Sequence, residues 1–192
     1  MLAQGQKPET LVIACADSRV DPSSIFDAGP GELFVIRNVA NLVPPFEQGE
    51  GLHGTSAALE YAVQVLKVRN ILVLGHADCG GVRTALAPER RAATMFIGDW
   101  IALLDAAIAR LPAALKGRPA RAALERESIR LSLERLMSFP FVAQAVQRGK
   151  LTLYGGVFGV ADGHLELLEP GAAEFKPALA CAVAAQTAVK RA

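Results

Sequence analysis

The chain has 192 residues, 52% hydrophobic and 20% charged, which suits one packed domain over residues 1–192 and excludes intrinsic disorder. Twenty Lys and Arg against nineteen Asp and Glu leave a formal charge of +1, with no block of like charges, so neither nucleic acid nor an anionic membrane surface is the expected partner. No apolar run approaches the ~18 residues of a membrane span, the first ten residues do not resemble a signal peptide, and the three cysteines are too few and too odd in number for a disulfide framework; a soluble, cytoplasmic protein is expected.

In chain order, Leu11–Cys15 (LVIAC) is a short apolar run bounded by Pro8 and the Asp-rich stretch that follows, and its length and Val-Ile content predict a buried strand. Glu32–Arg37, opened by Gly29-Pro30-Gly31, and Asn70–Gly75 read the same way. Between these two, Leu59, Val63 and Leu66 recur at helical spacing beside Ala57, Ala58 and Ala62. Unalternated apolar strands separated by helices predict a mostly parallel sheet covered on both faces.

After Val82 the pattern turns helical. Ile101, Leu104, Ile108 and Leu111 predict one amphipathic helix ended by Pro112, and Trp100 lies on it as a packing residue. Leu124, Ile129, Leu133 and Leu136 predict a longer helix from about Pro119, with Arg130 and Glu134 spaced to pair on its wet side. A short helix opens at Pro140 and closes at Gly149. Residues 151–158, a turn at Asp162-Gly163 and residues 164–168 predict a strand and its antiparallel return, and the Ala-rich stretch from Gly171 is expected to be helical. The expected fold class is therefore α/β: a central, mostly parallel β-sheet with an antiparallel edge strand, flanked by helices.

Two clusters carry the chemistry. C-A-D-S-R at 15–19 follows the first strand; an extended backbone there projects Cys15, Asp17 and Arg19 to one side. G-H-A-D-C-G-G at 75–81 follows the third strand, where one tight turn brings His76 and Cys79 onto a common centre, with Cys79 at the start of a helix. Both lie at the carboxyl ends of parallel strands, where open α/β sheets bind ligands. Two thiols and an imidazole suit tetrahedral zinc, one ion per chain. Asp17 either fills the fourth position, giving a closed structural site, or is held off it by Arg19, leaving it to water. The charge balance favours the second, with Asp17 accepting a hydrogen bond from a zinc-bound hydroxide and Arg19 clamping the carboxylate.

Blander roles suit the remaining candidates. His53 and His164 are expected as surface or turn histidines, and Cys181 as an idle thiol. Arg19 falls too close to Cys15 for the C-x5-R loop of a thiol phosphatase, and no phosphate-binding glycine motif is present.

C-A-D-S-R-V at 15–20, G-E-L-F-V-I-R-N-V-A-N at 31–41, A-L-E-Y-A-V at 58–63 and G-H-A-D-C-G-G-V at 75–82 resemble the β-class carbonic anhydrases, zinc enzymes that interconvert carbon dioxide and bicarbonate. The resemblance runs from about Gly5 to about Glu169. It implies Cys15, His76 and Cys79 as zinc ligands, Asp17 with Arg19 as the catalytic dyad, and the Gly80 N–H as a contact to substrate or bicarbonate. G-Q at 5–6 and V-P-P-F at 43–46 resemble the plant-type, open-zinc branch, which implies Gln6 as a substrate contact and Phe34, Val39 and Tyr61 as pocket lining, partly supplied by the neighbouring subunit of a homodimer or higher homo-oligomer. The bicarbonate-inhibited branch pairs an Arg, here Arg37, with a Trp and a Tyr; Val12 and Phe158 stand there instead, and no such anion switch is expected. The family's N-terminal, partner-embracing arm is expected to be absent or cut short, since the chain starts so near Gln6. Two alternatives keep the same centre: hydrolysis of carbon disulfide or carbonyl sulfide, and a non-catalytic, zinc-stabilised scaffold.

Overall fold

The computed structural model describes residue 3 and residues 5–48, 52–89 and 94–178. Among the described residues, six strands form one sheet in the order β2-β1-β3-β4-β5-β6. The first four, β1 (Thr10–Cys15), β2 (Leu33–Asn38), β3 (Asn70–His76) and β4 (Thr152–Phe158), run parallel, and β5 (Leu165–Leu168) returns antiparallel. The apolar runs become strands because both of their faces are covered: Leu11 to Ala14 are at most 1% exposed, and β3 is buried from Ile71 onward. From β1 the chain moves outward to β2, then crosses back over β1 to β3. The reversal opens a crevice at the carboxyl ends of β1 and β3, the topological switch point of such sheets.

On one face Leu11, Ile13, Ile71 and Val73 pack under α6 (Gly117–Leu136) and α7 (Pro140–Gln147). Helix α6 rides close to the sheet because Gly75 leaves room for Ile129, whose Cδ1 would lie 2.8 Å from a Cβ there. The other face, around Val12, Ala14, Leu72 and Leu74, meets Ile25 of the short α1 (Pro22–Ile25) and Phe26.

Several expectations are corrected. The helix after β2 is α-helical only over α2 (Gly54–Glu60) and widens to a π-helix at Tyr61–Leu66, ended by Lys67 in the left-handed region at φ 57°. Beyond α3 (Gly80–Ala85), the stripe from Ile101 to Leu111 is split into α4 (Ile97–Ala102) and α5 (Asp105–Ala109). The split falls where Leu103 and Leu104 bond three residues back, and it frees the Leu103 carbonyl to accept from Arg135 of α6 at 2.7 Å. Glu134 pairs with Arg110 rather than Arg130; Arg130 instead lies over the Phe175 ring and donates to the Ala173 carbonyl. The stretch after Gly171 is not helical as far as it is described: Lys176–Pro177 forms β6 against β5, with Phe175 held under Arg126 and Arg130. Cys181 lies outside the described residues.

Candidate metal centre

Strand β1 ends on Cys15 and β3 ends on His76, and the parallel register, with Ala14 beside Leu74, brings both donors to the same end of the sheet. The third arrives through a tight turn. Asp78 adopts the left-handed conformation at φ 55°, which short polar side chains tolerate, and this reverses the chain so that Cys79 returns toward His76. Cys79 then caps α3. The next turn of that helix needs Gly81, where a Cβ would sit 2.9 Å from both Val39 Cγ1 and Ala40 Cβ.

The donor atoms of Cys15, His76 and Cys79 all lie within 4.8 Å of one another, and their side chains are almost wholly buried. The two sulfurs are 3.9 Å apart, close to the ~3.8 Å that two thiolates on a tetrahedral zinc with Zn–S of about 2.3 Å would span. His76 Nδ1 lies 3.0 Å from the Ala77 carbonyl, which selects the tautomer donating from Nδ1. His76 Nε2 is buried with no hydrogen-bond partner, so a lone pair points into the cluster unused. An orphaned nitrogen beside two sulfurs fits a soft cation.

The protonation chemistry agrees. The hydrogen bond shared with the Cys79 sulfur, against the cost of burial, holds the Cys15 thiol well below its ordinary pKa. That same hydrogen bond, together with burial and the charge of Cys15, pushes the Cys79 thiol well up. Burial disfavours an imidazolium at His76, yet the negative charge of the neighbouring Cys15 thiolate raises its pKa overall. Without a cation the three donors share protons; a metal would replace them.

Asp17 stands beside the cluster, with Oδ2 3.8 Å from His76 Nε2. Both of its oxygens are engaged by Arg19: Nε to Oδ1 at 2.9 Å, Nη2 to Oδ2 at 2.8 Å, and the Arg19 backbone N–H to Oδ1 at 3.0 Å. These bonds hold the Asp17 carboxyl well below the usual carboxylate range. Arg19 also donates to the Asp78 carbonyl at 3.2 Å, tying the loop after β1 to the loop after β3. A cleft of about 480 Å³, lined by Asp17, Ser18, Arg19, Asp78, Gly80, Arg83 and Arg121, opens on this side.

The other expected pocket residues are distributed differently. Val39 lies next to the centre, its carbonyl accepting from the Trp100 indole at 2.8 Å, so Trp100 does more than pack. Gly80 faces the cleft, with open space where a side chain would be. Phe34 and Tyr61 form a ring pair 5.9 Å apart, but Phe34 is in register with Leu11, four residues before Cys15. At ~3.3 Å per residue this is about 13 Å down the strand, so one chain does not bring that pair to its own centre. Gln6 is exposed on the segment leading into β1. His53 precedes α2 and His164 sits on the β4–β5 turn beside Asp162, neither at the centre.

Two residues have roles that the sequence does not reveal. Arg37 clamps the loop after β1 by donating to the carbonyls of Cys15, Asp17 and Val20 at 3.0, 2.7 and 3.2 Å, and Val12 and Phe158 pack in the apolar cluster of the sheet's second face. Glu125 of α6 is only 5% exposed and accepts the Cys79 backbone N–H at 3.1 Å. Burial raises its pKa, opposed by that N–H. The available signal was Glu125, Ser128 and Ser132 recurring on the buried side of a helix otherwise faced with Leu and Ile.

A family model described as carbonic anhydrase matches residues 10–165. Beta carbonic anhydrase 5, chloroplastic, of Arabidopsis thaliana is 42% identical over 169 residues, covering 86% of this chain and 56% of the relative. Beta carbonic anhydrase 3 of the same plant is 40% identical over 174 residues, covering 88% of this chain and 67% of the relative. The chain thus spans between half and two thirds of the length of these relatives. Among solved structures, the β-carbonic anhydrase CcaA superposes with a TM-score of 0.86 at 31% identity, over 92% of this chain and 80% of that one. A structure from a study of two tetrameric β-carbonic anhydrases of Sordaria macrospora gives a TM-score of 0.77 at 31% identity, over 87% of this chain and 83% of that one.

Proposed function

The chain belongs to the carbonic anhydrase family, in its β class, and from that premise we propose that it catalyses the reversible hydration of carbon dioxide to bicarbonate and a proton. The observation that carries this reading is the buried Cys15–His76–Cys79 cluster with an unpartnered His76 Nε2 and a clamped carboxylate at its side. Cys15, His76 and Cys79 would hold one zinc ion. Bound there, zinc supplies the acidification that makes water a nucleophile near neutral pH.

The chain's own residues do the rest. Asp17 Oδ2 accepts a hydrogen bond from the attacking water and orients its free lone pair toward carbon dioxide. Arg19 occupies both Asp17 oxygens, which keeps the carboxylate ionised and off the fourth metal position. This geometry supports the open-centre branch and speaks against a closed scaffold site with Asp17 as permanent ligand. The Gly80 N–H, facing the cleft, donates to an oxygen of the nascent bicarbonate. At the mouth Arg19, Arg83 and Arg121 outnumber Asp17 and Asp78, a balance that favours passage of a small anion.

The position of Phe34 and Tyr61 on β2 and the π-helix, away from the centre of their own chain, favours a homodimer in which each copy supplies this pair, with Gln6, to the other's pocket. Stopped-flow carbon dioxide hydration at pH 7 and pH 8.5 on zinc-loaded protein tests the activity, with carbon disulfide and carbonyl sulfide assayed in parallel. Hydration at either pH with no sulfide hydrolysis is the expected result. A protein holding one zinc per chain and inactive on all three substrates would be the scaffold instead.

A further inference from the structure

We infer that Glu125 is a positioning residue for the metal centre, aiming Cys79 by holding its backbone N–H; this rests on Cys79 being a metal ligand. The carboxylate sits on α6 between Leu124 and Ile129, both fully buried, and is itself 5% exposed. Placing an acid there is costly unless its oxygens are used. Its Oε1 accepts from the ligand turn, the Cys79 N–H at 3.1 Å, 46 residues earlier in the chain.

That N–H matters because it orients the peptide that leads into Cys79 from the side facing α6. As the cap of α3, Cys79 has an extended backbone (φ −64°, ψ 126°), and no helical hydrogen bond uses its N–H. The residue before it, Asp78, is in the left-handed region. One rotatable bond, Cα–Cβ, lies between the Cys79 backbone and its sulfur, so the two flanking peptide planes restrict where the sulfur can go. Gly81, packed against Val39 and Ala40, fixes the plane on the helix side. Glu125, at the Cys79 N–H, and Arg19, at the Asp78 carbonyl of the same peptide, hold the other, and Ser128 Oγ donates to the Glu125 carbonyl at 2.9 Å within the same turn of α6. Outer-shell partners of this kind commonly set metal affinity by about 10–100-fold.

The test compares Glu125→Gln, Glu125→Ala and Glu125→Asp with the parent. The readouts are the rate of zinc release to a chelator, the near-ultraviolet thiolate-to-cobalt band of the cobalt-loaded protein, and the Cys79 amide proton shift in metal-free protein. Glu125→Gln, whose amide oxygen accepts the same N–H, is expected to release zinc within about threefold of the parent and to keep the band and the downfield amide shift. Glu125→Ala is expected to release zinc about 10–100-fold faster with an altered band. Glu125→Asp, which withdraws the acceptor by about 1.5 Å, behaves in the same direction and carries the test if the Ala variant does not fold. A purely structural role would lower the melting temperature of the Ala or Asp variant yet leave release rate and band unchanged, and would overturn the inference; so would a Gln variant as impaired as the Ala. A parent that takes up no cobalt overturns the metal reading and this inference with it, whereas a normally loaded parent with unchanged variants overturns the inference alone.

Discussion

The loops after β1 and β3 each bring metal donors to the same crevice, but they are held by opposite means. The loop after β1 is held by charge: Arg19 brackets Asp17 from solvent, and Arg37 reaches from β2 to three of the loop's carbonyls. The loop after β3 is held by burial: His76 and Cys79 are each 1% exposed, Glu125 takes the Cys79 N–H from beneath, and Gly81 lies against Val39 and Ala40. The difference teaches a division of labour. The packed loop fixes where the metal sits, and the charge-held loop places an ionised carboxylate at the solvent side, where water and a small anion come and go.

The comparison breaks most completely at the ligands. His76→Ala or Cys79→Ser is expected to abolish metal retention and reduce hydration to background, as read by metal content and stopped-flow assay. Cys15→Ser removes the ligand at the end of β1, where the charge-held loop begins, and should do the same. Asp17→Asn separates the loops: the protein should keep its zinc, since all three donors remain, and lose turnover by about 10²–10³-fold. Full activity in that variant would remove the proposed dyad.

The next effects are on stability. Gly81→Ala forces a Cβ to within 2.9 Å of Val39 and Ala40 and should cost about 1–3 kcal/mol by chemical denaturation, with weaker metal retention. Arg37→Met strips three carbonyls of their donor, two of them half-buried, and should cost about 1–2 kcal/mol, with turnover falling more than zinc affinity. The smallest effect lies outside both loops. Arg110, through paired hydrogen bonds, holds the Glu134 carboxyl below its usual pKa, so the stability it lends is full above the unfolded value of ~4.3 and lost as pH falls through the lower folded value. Glu134→Gln should flatten that acid limb by roughly 0.5 kcal/mol or less and leave metal binding untouched.

The two loops also differ in how far the sequence betrays them. Cys15, Asp17, Arg19, His76 and Cys79 follow directly on apolar strands, and chemistry-bearing residue types in that position are conspicuous. The strands themselves were legible because breakers bound each one. What holds the loops was not legible, since it comes from distant elements: Arg37 lies on the next strand, and Glu125 acts across 46 residues. A helix pattern also assigns an acid to solvent by default. The break between α4 and α5 was hidden because Ile101, Leu104 and Ile108 keep helical spacing across it. Arg130 lost its expected partner to Arg110, a competitor from α5 that spacing along α6 cannot reveal.

Zinc titrated into chelator-stripped protein, with carbon dioxide hydration followed by stopped flow, shows whether the Cys15–His76–Cys79 centre drives the reaction. Activity should rise in proportion to zinc, level off at one ion per chain, and stay at background throughout in Cys15→Ser. Undiminished hydration in the stripped protein, or none in the parent at full loading, would contradict it.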